Sequence, residues 1–428
     1  MLIIGLLLLV TAFSVQRDLL ADKQCPPDLR NRVVGARLQK DGRSPYFYKW
    51  KQGDGYRYYD PNNFDTLKVA NITGTPFFHH LLAPLADMPE RRLSACWLAI
   101  EYGSLLLITL LAFVLAKDVY QQWTVLGAAG VFLLTEAWRM HVYTGQNYLC
   151  IPLLASIFFY FIYRQTGTAA ALVAGTAAVC LVLIRPNAAL FFLPLLFLAK
   201  NYSRAYRIVF LLPVLALTMW SLLSPAENYL WQQYRANVDE QLKLHQQLGA
   251  AKQENALDPG FPVWEGIDRA AINAEETRHP IRRYSENGNV FVLINNLFHT
   301  KLSITAIAVL AVLATFILGG LFYFSVRGAN NNHPAALALM GYSLYMVTDL
   351  FSPIYRHQYY TVQWIFPVML AAAFYTPSFK WPYVLAAAGL LLNIINISSI
   401  KMEHTMGEYL LFLALAGIAL TGKSKQPV

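Results

Sequence analysis

Apolar residues run along this chain in long blocks, parted by short polar stretches. Many blocks approach the roughly 20 residues needed to cross a bilayer. The pattern predicts spans near 2–16, 95–116, 122–138, 147–163, 168–184, 187–199, 208–224, 302–325, 335–351, 359–375, 381–399 and 407–422. Two long polar segments interrupt them, 17–94 and 225–300. The fold expected is an all-α polytopic membrane bundle of about twelve helices with two large loops, forming a single domain over 1–428. The first block lacks a basic leader and a small-residue cleavage site, so it reads as an anchor.

Charge gives the spans an orientation. With the N-terminus inside, the cytoplasmic loops carry Lys117, Arg164, Lys200, Arg204, Arg207, Arg327, Lys380, Lys423 and Lys425. The short outer loops carry only Arg139, Arg185, Arg356 and Lys401. Basic residues favour the cytoplasmic side, so both long loops are expected outside.

Composition agrees. Of 428 residues, 56% are apolar and 14% charged, with a net charge of +9. So little polar surface excludes a soluble enzyme and a disordered chain. Cys25, Cys96, Cys150 and Cys180 form no CxxC pair, and only Cys25 lies well outside the apolar blocks. That excludes a disulfide scaffold and gives no metal-site pattern.

Local signals mark elements in both loops. Two prolines precede Asp28, and a run without Gly or Pro reaches Gly35. A helix is expected from Asp28 to about Lys40, stopped at Asp41-Gly42. Asp28 would cap it, with Arg32 four residues on as an ion-pair partner. The proline-punctuated stretch Thr75 to Pro89 predicts a short interfacial helix. Its adjacent His79 and His80 cannot share a helix face, which argues against a metal pair. In the second loop Trp231, Tyr234, Val238, Leu242, His245 and Leu248 recur at helical spacing and predict an amphipathic helix. It would lie on the membrane, cap the bundle, or pack on neighbouring loops.

Polar groups gather at the predicted outer boundary. They are Asp28, Arg139 and His141, Gly145-Gln146-Asn147, Arg185-Pro186-Asn187, and Asp349 with the stretch Ser352 to Gln358. Ionisable groups at membrane depth usually face a protein interior or a wet cavity. Arginine binds phosphate through a two-pronged fork, and a nearby carboxylate can serve as a general base. Each arginine taken singly also fits a side chain snorkelling from a helix end.

The order of these motifs resembles glycosyltransferase family 87, membrane enzymes of the GT-C class that use polyprenyl-phosphate sugars. The resemblance rests on Asp28, Gly35-Ala36-Arg37, Gly42 and Ser44-Pro45-Tyr46, then Pro76-Phe77, Leu81-Leu82, Ala83-Pro84-Leu85 and Pro89. It continues through Gly145-Gln146-Asn147, Ile184-Arg185-Pro186-Asn187 and Ser352-Pro353-Ile354. Three motifs depart from the family: Gly145-Gln146-Asn147 is one residue short, Arg185 stands for a lysine with Pro186 displaced, and Arg356 stands for a tryptophan with His357 moved. The resemblance implies a GT-C-like bundle in a bacterial cell membrane, with its site on the outer face. It implies Asp28 as the base, and Arg356, His357, Arg185, Gln146, Asn147, Tyr355 and His141 around the donor phosphate and substrate. It implies a polyprenyl-phosphate sugar as donor and a glycan or glycolipid as acceptor, with no metal or cofactor and no nucleic acid. Asp349 and Asp54 are less favoured carboxylates. A twelve-span transporter or flippase of a lipid-linked sugar is the alternative, although it would place polar breaks near the bilayer midplane.

Overall fold

The structure is a computed structural model. It describes residues 2–21, 26–50, 53–60, 74–164, 167–196, 202–248, 263–264, 267–268, 288–290, 294, 298–300, 302–329, 333–352, 356–375, 381–395 and 403–421. Helices dominate these residues. Ahead of the bundle come α1 (Leu2–Ala21), α2 (Pro27–Lys40) and α3 (Pro76–Leu82). The first half of the bundle is α4 (Glu90–Leu115), α5 (Val119–Leu134), α6 (Glu136–Thr144), α7 (Cys150–Arg164), α8 (Thr168–Ile184) and α9 (Arg204–Leu223). After α10 (Pro225–Leu248) follow α11 (Ile304–Ala329), α12 (Pro334–Leu350), α13 (Ile365–Phe374), α14 (Trp381–Leu392) and α15 (Glu403–Thr421). Val263–Trp264 (β1) and Ile267–Asp268 (β2) pair antiparallel.

Two helices form the centre. Every residue of α13 is buried, and nearly every residue of α12. A helix apolar on all sides belongs in such a place. Gly341 of α12 lies so close to the Phe191 carbonyl that an added Cβ would sit 2.0 Å from that oxygen. Backbones approach this closely only at the smallest residue.

The periphery is the reverse. Leu6, Leu8, Leu9 and Phe13 on α1, Leu106 and Leu110 on α4, and Leu212 and Leu215 on α9 are exposed. So are Phe316, Ile317 and Phe324 on α11. Apolar surface of this extent is stable against lipid, not water. Glu90–Leu115, Arg204–Leu223, Thr305–Val326 and Glu403–Thr421 are long and apolar enough to cross a membrane. Val119–Leu134, Cys150–Arg164, Thr168–Ile184 and Trp381–Leu392 are shorter apolar helices.

Three predicted spans take a different course. Thr135 accepts a hydrogen bond from Trp138 N and starts a new helix, so 122–138 divides into α5 and α6. Residues Pro186–Phe192, the start of the predicted 187–199 span, form a 3-10 turn. Pro186 lacks an N–H and sets a new start just after α8. The 359–375 span is also composite, a 3-10 segment Gln358–Trp364 leading into α13. The loop elements fall where expected. α2 ends at Lys40, Gly42 takes a left-handed φ of 72°, and α3 begins after Thr75, whose side chain accepts from Phe78 N.

The first loop is fastened to the bundle. Leu29, Val33 and Ala36 of α2 pack with Phe77, Phe78 and Leu82, and with Trp97, Val179 and Leu183 of the bundle helices. Arg30 is buried; it pairs with Glu90 and donates to Tyr59 O at 2.8 Å. On the surface Arg57 bridges Asp41 at 3.0 Å and Asp87 at 2.7 Å. Hydrogen bonds from Lys40 and then Arg57 hold the Asp87 carboxyl down to about 2.

Candidate functional site

Asp28 is the second residue of α2, and Pro26 holds the cap position. This corrects the expected N-cap role. The carboxylate stands in the first turn instead, where the helix dipole still favours its charge. A partner of this carboxylate lies far away in sequence. Gln146 Nε2 donates to Asp28 Oδ2. The same amide accepts from Arg32 through Oε1, while Arg32 Nη1 donates to Gly145 O at 3.2 Å. Gln146, 1% exposed, thus fixes the acid and the arginine of one helix face together. Arg32, expected to pair with Asp28, also reaches this turn.

Gly145 makes that approach possible. It ends α6 with φ 65° and ψ 52°. An added Cβ would lie 2.6 Å from both the Leu29 and Pro26 Cβ atoms. Gly145→Ala is therefore expected to cost about 1–3 kcal/mol for the left-handed backbone alone. It should also push α2 off its seat. A melt of the purified protein checks this, and an unchanged midpoint would contradict it.

His141 holds the turn from behind and has no exposed surface. Leu149 N donates to its Nε2 at 3.3 Å, and its Nδ1 lies 3.1 Å from Glu101 Oε1. Burial, with the Arg32 charge second, pushes its pKa down to about 3. A neutral ring with its Nε2 lone pair accepting from Leu149 N fits this site. Gln146 N then donates to His141 O at 3.0 Å. Asn147 is half-buried, and its carbonyl accepts from Cys150 N at 3.1 Å to begin α7.

A group of aromatic rings adjoins this turn. Tyr148 stands 4.2 Å from Tyr360 and 5.7 Å from Tyr359, and His357 stacks on Tyr359 at 4.9 Å. The Asp28 charge acts on Tyr359. Arg185 lies over the Tyr148 ring at 5.6 Å, and Arg356 over Tyr360 at 4.8 Å.

The two arginines differ in what they can offer. Arg356 is 3% exposed. Its Nε and Nη2 each lie 2.7 Å from Glu408, and Nη1 donates to Asp349. Arg185 pairs with the other Asp349 oxygen, keeps 24% of its side chain exposed, and has no partner for Nε among the described residues. Gln363 donates to Asp349 at 3.2 Å and Trp364 to Glu408 at 3.0 Å. Two arginines and two carboxylates thus balance. Asp54, the other carboxylate considered, accepts from Tyr48 at 2.7 Å in the first loop. Tyr355 lies outside the described residues, as do Pro353 and Ile354.

The structure therefore brings Asp28, Gln146, Asn147 and His141 together in one sector, and Arg185, Arg356 and His357 in an adjoining one. Sequence reasoning missed Glu408, Glu101, Tyr148, Tyr359 and Tyr360. Lone acids inside apolar spans were a readable signal for the first two. The tyrosines carried none, because tyrosine is common at any membrane boundary.

A bundle of apolar helices with a polar site at one end defines a membrane protein. The family model for glycosyltransferase family 87 matches residues 73–254. The match bears out the motif resemblance over that segment, which is less than half of the chain. Asp28 and the 352–357 motif lie outside the matched segment. The chain is also similar to a crystal structure of the Archaeoglobus fulgidus oligosaccharyltransferase in the apo form, at 14% identity and a TM-score of 0.43. That similarity covers all of this chain and 56% of the other, so the chain spans little more than half its length. No curated protein matches.

Proposed function

We propose that this protein is a membrane glycosyltransferase that moves a sugar from a polyprenyl-phosphate donor to a glycan or glycolipid acceptor on the outer face, with inversion at the anomeric carbon. The observation that carries the reading is the Gln146 amide, which holds Asp28 beside Arg32 two residues before Tyr148, the ring under Arg185. Asp28 takes a proton from the acceptor hydroxyl, and the oxygen attacks the anomeric carbon as the lipid phosphate departs. A single base suits a single displacement, whereas retention needs two carboxylates about 5–5.5 Å apart. Asp349 is held by both arginines and does not fill that role.

Arg185 contacts the phosphate, and Arg356 with His357 supports it. Arg185 already offers an exposed edge and an uncommitted Nε, whereas Glu408 and Asp349 hold the Arg356 fork. A cavity of about 360 Å³ supports the lipid half of the reading. It runs among α7, α8 and α9, from Arg207 to Val182, between apolar walls such as Phe158, Ile162, Phe210 and Val214. Val182 stands three residues before Arg185, so a chain in the cavity would lead towards that phosphate contact.

Membranes containing the protein, incubated with a panel of polyprenyl-phosphate sugars and read by mass spectrometry, test the reading. A new glycosylated product from at least one donor is expected. No product from any polyprenyl-phosphate sugar would overturn it. Arg185→Ala should weaken donor binding about tenfold or more, since a charge-assisted hydrogen bond contributes roughly 1.5–3 kcal/mol. Titration of the purified variant with the active donor checks this. Unchanged affinity would remove Arg185 from the phosphate site.

A further inference from the structure

A second polar cluster lies where α2, α3 and α10 meet. Glu227, in the first turn of α10, is 6% exposed. Its Oε1 lies 2.8 Å from His80 Nε2. Its Oε2 is buried and has no partner among the described residues. Gln39, near the end of α2, places its amide nitrogen 2.7 Å from the same His80 atom and 3.2 Å from Pro76 O. Four residues along α10, the indole N–H of Trp231 is also buried and has no partner among the described residues.

Aromatic rings enclose these groups. Tyr234 meets Trp231 edge-on at 5.7 Å and Tyr46 at 5.5 Å. Trp220 meets His80 at 5.0 Å. Each buried polar atom left unpaired costs roughly 1–3 kcal/mol. Folded proteins leave few of them, and those few call for a ligand, a water or a functional role.

The chemistry of these two atoms narrows the ligand. Oε2 needs a donor and the indole N–H needs an acceptor, one helical turn apart. A hydroxyl-bearing group supplies both. The rings ask for an apolar face to stack upon. The Glu227 carboxylate repels phosphate and other anions. A neutral sugar ring meets all three conditions. Tyr234 also lies within electrostatic range of Arg185 and Tyr148. The cluster therefore adjoins the tyrosines above, not a remote surface.

We infer that Glu227, Trp231, Gln39 and His80 form a subsite for a neutral sugar ring of the acceptor. This rests on the proposed transfer reaction. On this view α10 is the acceptor wall of the site, and the second long loop contributes to specificity.

The test uses the full chain in lipid nanodiscs, titrated with methyl α-mannoside and methyl α-arabinofuranoside and followed by saturation-transfer NMR. At least one glycoside is expected to bind saturably. Glu227→Gln and Trp231→Phe should weaken it about tenfold or more; Trp231→Phe keeps an aromatic ring and deletes only the N–H. Gln232→Ala, at an exposed position of the same helix, should bind like wild type. No glycoside binding, or equal binding by both variants, would overturn the subsite. Binding is read without donor, so the two readings fail separately. Lost binding in Glu227→Gln with no transfer from any donor would retain the subsite and sink the transfer reaction. Active transfer with undiminished binding by both variants would sink the subsite alone.

Discussion

Asp28→Asn is expected to cut sugar transfer by orders of magnitude while leaving the protein folded and inserted. The carboxamide keeps an oxygen for the Gln146 Nε2 hydrogen bond, so the seat of α2 on the 145–149 turn survives. What disappears is the proposed proton acceptor. General-base catalysis contributes typically 10²–10⁴-fold, and the loss in kcat should fall in that range. Donor affinity should be nearly unchanged, because the proposed phosphate contact is at Arg185, in the adjoining sector. The melting midpoint should shift only slightly, by the loss of a charge near a helix N-terminus, about 0.3–1 kcal/mol. Steady-state kinetics with the active donor, run beside a melt, separate the effects. A variant as active as wild type would end the assignment of Asp28 as the base.

Gln146→Leu, by contrast, would remove the amide between Asp28 and Arg32 and leave two charges without their shared partner. The contrast follows from geometry that no local reading supplies. Asp28 and Gln146 stand 118 residues apart and meet only because Gly145 lets α2 close on the turn. Each half was legible by itself: Asp28 from the prolines before it, Gly145-Gln146-Asn147 from its place between two apolar blocks.

The elements that the sequence marked most clearly are those with punctuation. α2 stops at Asp41-Gly42, α3 sits between prolines, and α10 follows its own periodicity. The 187–199 block shows where hydropathy misleads. Its composition suits a span, yet Pro186 and the tie of Arg185 to Asp349 turn the backbone into a 3-10 segment instead. A run of apolar residues reports what surrounds a segment, not its backbone path. The arginines show the same limit in the site. Sequence places Arg185 and Arg356 alike at the outer boundary, whereas their availability depends on Glu408, which arrives from the last helix.

Glu408 carries the other large effect. Replacing it with leucine leaves Arg356, 3% exposed, without its two bonds to Glu408. Among the described residues Asp349 would then be the carboxylate left between the two guanidinium groups. Removing one partner of a buried ion pair typically costs about 3–5 kcal/mol, because the remaining charge has lost its solvent and its counterion. Glu408→Leu should therefore lower stability by about that much, read from the denaturation midpoint in detergent. The double variant Glu408→Leu, Arg356→Met should recover most of the loss, since replacing a whole buried pair by apolar groups is often neutral. It would also return Asp349 to Arg185 alone. Trp364 N–H loses its acceptor in both variants, so the difference between them isolates the charge on Arg356. If the double variant is no more stable than the single one, the cost lies in packing around α15. The four-charge balance would then not be what holds Arg356 in place.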